Sequence, residues 1–362
     1  MDKYSKIYVA GHTGLVGTAI LRRLKADKYR NLIFRSHAEL DLTRQTAVED
    51  FFQTEKPEYV FLAAAKVGGI LANSTYPADF IYDNLVIQTN VIHAARKSGV
   101  KRLLFLGSSC IYPRECPQPM KEEYLLTGPL EKTNEPYAIA KIAGIKMCQS
   151  YNRQHGTRFL AVMPTNLYGP NDSFDLETSH VLPALIRKFH LAKLAAAGDW
   201  QSIDRDEKKY GAIPDDFRFS LISISRSAGH AVSVPTNTSL PAPSVPIWGS
   251  GTPRREFLHV DDLADACLFL INTPHPVFHS LIVDSQVPLI NIGCSQDHTI
   301  RELAGLVNAV VGFQGEIIFD PSKPDGTPRK LLDTSNIAGM GWEPTLSFQQ
   351  GIRETYQWYL NP

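Results

Sequence analysis

Phe105-Leu106-Gly107-Ser108-Ser109-Cys110 and, further on, Pro136-Tyr137-Ala138-Ile139-Ala140-Lys141 together decide the fold class. An apolar run that stops at Gly-Ser-Ser reads as a buried strand delivering hydroxyls to its carboxyl end, the edge where open α/β sheets gather their ligands. Tyr137 and Lys141 are four apart, so on a helix they lie one above the other and the ammonium approaches the phenol. A free phenol titrates near about 10. A neighbouring positive charge favours the phenolate, so the pair is expected to act as a proton donor and acceptor near neutral pH. Pro136 suits the first turn of that helix, where its missing N–H costs nothing. Tyr-x-x-x-Lys is also common on solvated helix faces, and its weight here comes from Ser108 and from the amino terminus.

There, Ile7-Tyr8-Val9-Ala10 is a short apolar strand followed directly by Gly11-His12-Thr13-Gly14-Leu15-Val16-Gly17. A glycine triplet between strand and helix allows a tight turn, close approach of the backbone to a pyrophosphate and close helix packing, with free N–H groups at the helix start. The next strand, 31–34, ends in Arg35-Ser36-His37, where an NAD site would place a carboxylate. Basic residues there suit a 2′-phosphate, with Glu39 and Asp41 close by as the competing acids and surface exposure as the plain alternative. Tyr59-Val60-Phe61-Leu62 then runs into Ala63-Ala64-Ala65, whose small side chains leave room for a cofactor. A helix over 79–98, a strand over 102–106 and a strand over 158–163 follow. The last of these ends in the polar turn Pro164-Thr165-Asn166-Leu167-Tyr168-Gly169-Pro170. This β-α-β order predicts an α/β protein, a Rossmann-type doubly wound parallel sheet over residues 1–180 to which later segments return.

Residues 181–362 are expected to form mainly a smaller α/β substrate-binding lobe. Ser179 reads as the cap of a helix with apolar Val181, Leu182, Leu185, Ile186 and Phe189, placing His180 in its first turn. From 199 to 245 the pattern fails, and 223–246 is rich in Ser, Pro and Thr. The stretch reads as an irregular insertion, a mobile flap over the substrate mouth. Beyond it, a turn and strand within 247–259 feed a helix ending near 271. A strand over 289–292, a helix over 300–311, a strand over 316–319 and a closing helix over 347–360 complete the second lobe, with a basic loop over 322–330.

The chain has 362 residues, 43% of them hydrophobic, and Lys+Arg 37 balances Asp+Glu 37. No long basic run with interleaved aromatics suggests nucleic acid, no apolar run reaches a membrane span, and the amino terminus lacks a signal peptide's apolar core, so a cytoplasmic protein is expected. Cys110, Cys116, Cys148, Cys267 and Cys294 are scattered without Cys-x-x-Cys, which argues against a disulfide framework and a metal site.

The glycine spacing, Gly-Ser-Ser-Cys and Tyr-x-x-x-Lys, with the runs 64–70, 73–80, 106–113, 134–145, 163–170, 248–262 and 322–332, resemble the extended short-chain dehydrogenase/reductase family. Within it the resemblance is to the epimerase/reductases of GDP-4-keto-6-deoxy-mannose, and it spans nearly the whole chain except 199–245. The resemblance implies an NADP(H)-dependent 3,5-epimerisation and 4-keto reduction yielding GDP-L-fucose. Tyr137 would protonate the reduced ketone, Lys141 tune it and Ser108 hydrogen-bond the same oxygen. Cys110 and His180 match the residues that move protons during epimerisation, although a cysteine after a strand is ordinarily core and a histidine in a first turn ordinarily surface. Ser108 and Tyr137 would stabilise the enolate as an oxyanion hole.

Cofactor contacts implied alongside the glycine turn are Arg35, His37, Asp41, Leu42, Leu106, Gly107, Ser108, Ser109, Lys141, Pro164, Thr165, Asn166, Leu167 and His180. Substrate contacts implied are Lys188, Trp248, Arg255 and Asp325, while Arg254, Lys323, Arg329 and Lys330 read as solvated neighbours. Related enzymes pair as homodimers through helices matching 79–98 and 136–154. The runner-up within the fold is a GDP-L-colitose-forming epimerase/reductase, and the different class is a non-catalytic dinucleotide-binding regulator.

Overall fold

The computed structural model describes residues 1–232, 240–283, 288–323 and 325–361. The chain divides into two units: Met1–Asn171, Glu256–Gln296 and Lys330–Phe348 form the first, and Asp172–Arg255, Asp297–Arg329 and Gln349–Pro362 the second.

The first unit begins β1 (Ile7–Ala10), α1 (Leu15–Ala26), β2 (Leu32–Ile33), α2 (Gln45–Glu55), β3 (Tyr59–Leu62), α3 (Ile70–Thr75), α4 (Pro77–Lys97), β4 (Arg102–Leu106), α5 (Glu135–His155) and β5 (Phe159–Pro164). Its sheet is parallel and six-stranded, ordered β2-β1-β3-β4-β5 with Leu289–Ile292 on the outer side of β5. Alternation along the strands supplies a core on each face. Tyr8, Val60, Leu62, Leu103 and Phe105 pack with Phe52, Val91 and Ile145 on one side. Ile7, Val9, Phe61, Leu104 and Leu106 pack with Ile20, Leu263 and Cys267 on the other. This is the doubly wound sheet expected, and the strand order reverses at β1, so the β1 and β3 ends form the switch point where such sheets bind ligands.

Three expectations need correction. Leu289–Ile292 was assigned to the second lobe, yet all four residues are buried and pair with Ala161 to Pro164 in the main sheet. A strand buried at every position, with Asn291 bonded to the Met120 and Asp333 carbonyls, needs cover on both faces, and the main sheet offers it. The helix after Ser179 is not capped by that residue: His180 is the N-cap, without a side-chain cap bond, of Val181–Ala196. The stretch 199–245 is regular over most of its first part. It holds two helices, Trp200–Tyr210 and Asp215–Ser227, the first capped by Asp199, which accepts the Ser202 N–H at 3.0 Å. Part of the Ser/Pro/Thr-rich run lies outside the described residues.

In the second unit those helices and the helix Ile300–Val311 pack on Val181–Ala196, and Ser244–Trp248 pairs in parallel with Glu316–Asp320. Thr299 and Glu302 form a reciprocal capping box at the start of Ile300–Val311. Among the described residues no single helix is long and apolar enough to cross a membrane.

Candidate active site

The glycine turn is built by close approach. Gly11 has φ +82°, and a Cβ on it would lie 2.7 Å from the Ala64 backbone; one on Gly17 would lie 2.1 Å from the Gly11 carbonyl oxygen. Both positions therefore exclude any larger residue, and α1 can start directly under the turn. Gly14 is its N-cap with no side-chain cap bond and no acid in the first turn, so the amides of Leu15, Val16 and Gly17 begin a helix whose positive end is not neutralised. That cradle fits a pyrophosphate. Thr18 Oγ1 donates to the His12 carbonyl at 2.9 Å, bracing the turn, while Thr13 is exposed.

The residues expected at a 2′-phosphate are not brought to one point. Arg35 donates to Glu55 at 2.7 Å and to the Phe34 carbonyl at 2.9 Å, and His37 is exposed, with Nδ1 4.0 Å from Asp41 Oδ1. Asp41 accepts from Thr43 N–H and Oγ1 at 2.9 and 2.7 Å, which hold its carboxyl below the usual range. Leu42 is core, its carbonyl accepting from Asn90 at 2.9 Å. His12 is the basic residue beside this edge, its ring 4.9 Å from that of Phe34.

At the end of β4, Leu106 and Gly107 are buried, and a Cβ on Gly107 would strike Met163 at 2.3 Å. Ser108 is extended, and Ser109, Cys110 and Ile111 make one 3₁₀ turn that tucks Cys110 inward. Burial pushes the Cys110 thiol up, while a hydrogen bond with Ser108 and the ammonium groups of Lys330 and Lys141 oppose that rise.

Across from it, α5 presents Tyr137 and Lys141. Lys141 is buried, donates to the Leu106 carbonyl at 2.8 Å and lies 4.9 Å over the Phe105 ring and 5.6 Å from the Tyr137 ring. Burial pushes its pKa down to about 8. The expected lowering of the tyrosine is contradicted: burial, with Cys110 adding to it, pushes the Tyr137 phenol up. The physical reason is that Lys141 sits over a ring and on a carbonyl rather than on the phenol oxygen, so desolvation governs both groups.

The expected polar turn after β5 is instead a short strand, Asn166–Tyr168, which pairs in parallel with Phe257 to His259 and is held from behind. Thr165 Oγ1 and Asn166 Nδ2 donate to the Glu256 carbonyl at 3.2 and 2.8 Å. The fully buried Glu256 carboxylate accepts N–H bonds from Cys294 and Ser295 at 2.7 and 2.8 Å and from Leu332 at 3.0 Å. Pro164 closes β5, and Leu167 is half-buried.

Sequence reasoning missed Glu256 and Lys330. The second was read as solvated, yet its charge acts on Cys110. A tertiary pairing carries it there: Met120 N–H donates to the Leu331 carbonyl at 2.7 Å and Asp333 N–H to the Met120 carbonyl at 2.9 Å. No local pattern announces such a pairing. Glu256 gave no local signal either, since it follows Arg254-Arg255 and reads as one more member of a charged run.

In the second unit, His180 is exposed at the start of its helix. Trp248 is 59% exposed with the Lys323 ammonium 5.2 Å over its ring. Asp325 accepts from the Ser250 N–H at 3.0 Å and its Oγ at 2.7 Å. Arg255 donates to the carbonyls of Arg254 and Thr327 at 2.7 and 2.5 Å. Three of the four expected substrate residues thus gather about the 248–251 turn. Lys188 instead donates to the Pro246 carbonyl at 3.1 Å, on the strand leading to Trp248, and burial pushes it down to about 8.

With this geometry in place, likeness to known proteins is informative. The model of the NAD dependent epimerase/dehydratase family matches residues 7–205 and 221–283. GDP-L-fucose synthase 1 of Arabidopsis thaliana is 54% identical over 359 residues, 99% of this chain and 94% of that protein. GDP-L-fucose synthase of Escherichia coli strain K12 is 48% identical over 98% of this chain and 96% of its own length. Among solved structures, a GDP-mannoheptose C4 reductase from Campylobacter jejuni with NADP bound superposes with TM-score 0.82 at 41% identity, covering 100% of both chains.

Proposed function

Because the chain belongs to the NAD dependent epimerase/dehydratase family, we propose that it is an NADP-dependent epimerase/reductase that converts GDP-4-keto-6-deoxy-D-mannose to GDP-L-fucose. The observation that carries this reading is the grouping of Ser108, Cys110, Tyr137 and Lys141 at the carboxyl end of β4.

The Gly11 to Gly17 cradle would hold the pyrophosphate of NADPH, which when bound would supply a hydride for C4. The residues do the rest. Tyr137, held protonated by burial, gives its proton to the C4 oxygen, and Ser108 hydrogen-bonds the same oxygen. Lys141 keeps a positive charge beside the phenolate that results, and this is why its placement under the tyrosine matters. Before reduction, C3 and C5 each lose a proton and regain one on the opposite face. The ketone acidifies both carbons, and the enolate oxygen is stabilised where Ser108 and Tyr137 donate. Cys110 and His180 make the two proton transfers, removal and return, at each carbon. The Lys330 and Lys141 ammonium groups favour the Cys110 thiolate against the pull of burial. The nucleotide end falls to Lys188, Trp248, Arg255 and Asp325: cations for the diphosphate, an exposed indole for a flat face and a carboxylate for N–H donors. The working assembly is a homodimer through α4 and α5, a reading supported by Tyr82 of α4, 64% exposed.

Solvent deuterium incorporation with product analysis tests the chemistry. Cys110→Ser is expected to reduce the ketone without full inversion, and Tyr137→Phe to stop reduction while exchange continues. Wild-type exchange in Cys110→Ser removes that residue from the mechanism.

A further inference from the structure

The family model leaves residues 206–220 unmatched, and those residues close the first helix of the insertion and open the second. They are nonetheless firmly built in. Arg187, fully buried, donates to Asp206 at 2.8 Å, to the Phe174 and Tyr210 carbonyls at 3.1 and 3.0 Å and to the Gly211 carbonyl at 2.5 Å. Asp206 also accepts from Tyr359. Glu207 joins the two helices, accepting from Arg218 and from the Ile213 N–H at 3.0 Å. Further along, Trp200 Nε1 lies 3.2 Å from Ser225 Oγ. Residues 200–227 of the expected flap are therefore a helical hairpin, ion-paired to the helix that carries Lys188.

Phe217, 2% exposed, is the residue this hairpin sets against Lys188: the ammonium stands 5.3 Å from the centre of its ring. One N–H goes to the Pro246 carbonyl, and the ring face fixes the direction of the others. A lysine on four rotatable bonds loses rotamer freedom when it grips a phosphate unless it is already held. A ring beneath the ammonium supplies that restraint without taking up its remaining donors.

We propose that Phe217 is a substrate-positioning residue, by which the inserted hairpin presents Lys188 to the diphosphate of the nucleotide sugar. The assignment rests on the reading of Lys188 as a diphosphate contact given above. It makes the hairpin part of substrate selection, acting on the phosphate end and not on the cofactor.

The test is steady-state kinetics of Phe217→Leu, Phe217→Tyr and Lys188→Ala, varying the GDP-sugar and NADPH separately, with GDP competition as the binding measure. Leucine fills the apolar site but has no ring face, so the protein folds. KM for the GDP-sugar and the GDP inhibition constant should rise about three- to thirtyfold, with kcat and the KM for NADPH unchanged. Tyrosine, which keeps the ring, should behave as the parent. Lys188→Ala should raise the same KM at least as much. If Lys188→Ala raises KM and Phe217→Leu does not, Phe217 has no positioning role while the diphosphate reading of Lys188 stands. If Lys188→Ala leaves KM unchanged, that reading falls and takes the proposal with it.

Discussion

Lys141 shows how one buried group can shape rate and stability in opposite senses. Its pKa is pushed from the ordinary 10.5 down to about 8, so the folded protein sheds this proton before the unfolded chain does. Activity needs the ammonium, and kcat/KM for the nucleotide sugar should fall as pH rises through about 8. Stability runs the other way. Between about 8 and 10.5 the unfolded chain binds more protons at this site, so the group's contribution to stability increases with pH and is constant below that window. Rate profiles check the first sign. Denaturant titrations of the parent against Lys141→Met at matched pH check the second, because the thiols of Cys110, Cys148, Cys267 and Cys294 are pushed up by burial and lower whole-protein stability over the same range. A parent-minus-variant difference that does not grow with pH contradicts the buried charge. At this scale the sequence spoke clearly about which side chains meet, since four-residue spacing on a helix brings Tyr137 and Lys141 together. It was silent on how they titrate, because desolvation depends on Phe105, Leu106 and Cys110 closing over the pair.

Among the elements, the strongest test lies in the helix Val181–Ala196. Arg187 and Asp206 form an ion pair with side chains 0% and 6% exposed. Removing one partner strands the other: Arg187→Leu should cost about 3–5 kcal/mol in denaturant unfolding. The double substitution Arg187→Leu with Asp206→Leu should recover much of that loss, because no unpaired charge remains. Equal losses in the single and double variants would show that the packing, and not the charge pair, is what holds the hairpin. The two helices this pair anchors were unreadable in the chain alone. Trp200–Tyr210 is mostly polar, with Ile203 and Asp206 its buried residues, so its inward face gives little apolar signal. Asp215–Ser227 buries Ser220, Ser223 and Ser225 among its apolar residues, and serine at buried positions erases the period on which such readings depend. The elements of the main sheet were legible because β3, β4 and β5 are nearly unbroken apolar runs punctuated by glycine, proline or alanine.

For the molecule as a whole, NADPH should report on the entire first unit, since the glycine turn, the β4 end and Pro164 at the β5 end all lie at the carboxyl ends of strands of one sheet. At about a hundred times its dissociation constant it should add about 2.7 kcal/mol of stability. NADH at the same concentration should raise the melting temperature less, and thermal shift with both nucleotides measures it. Equal shifts would mean that the basic residues near β2 do not read the 2′-phosphate. The overall α/β class was evident from the alternation of strands and helices, but the membership of each unit was not. Which distant segment returns to which sheet is decided by tertiary fit, as Leu289–Ile292 illustrates.

That returning strand has a further implication for synthesis. On the ribosome, β5 emerges long before residue 289, and until then its outer edge has no strand to bond. An unpaired strand edge in a half-made chain invites pairing with another chain. The length of that interval of bare β-edge, which spans translation of the whole inserted hairpin, is set by where one four-residue strand falls in the message.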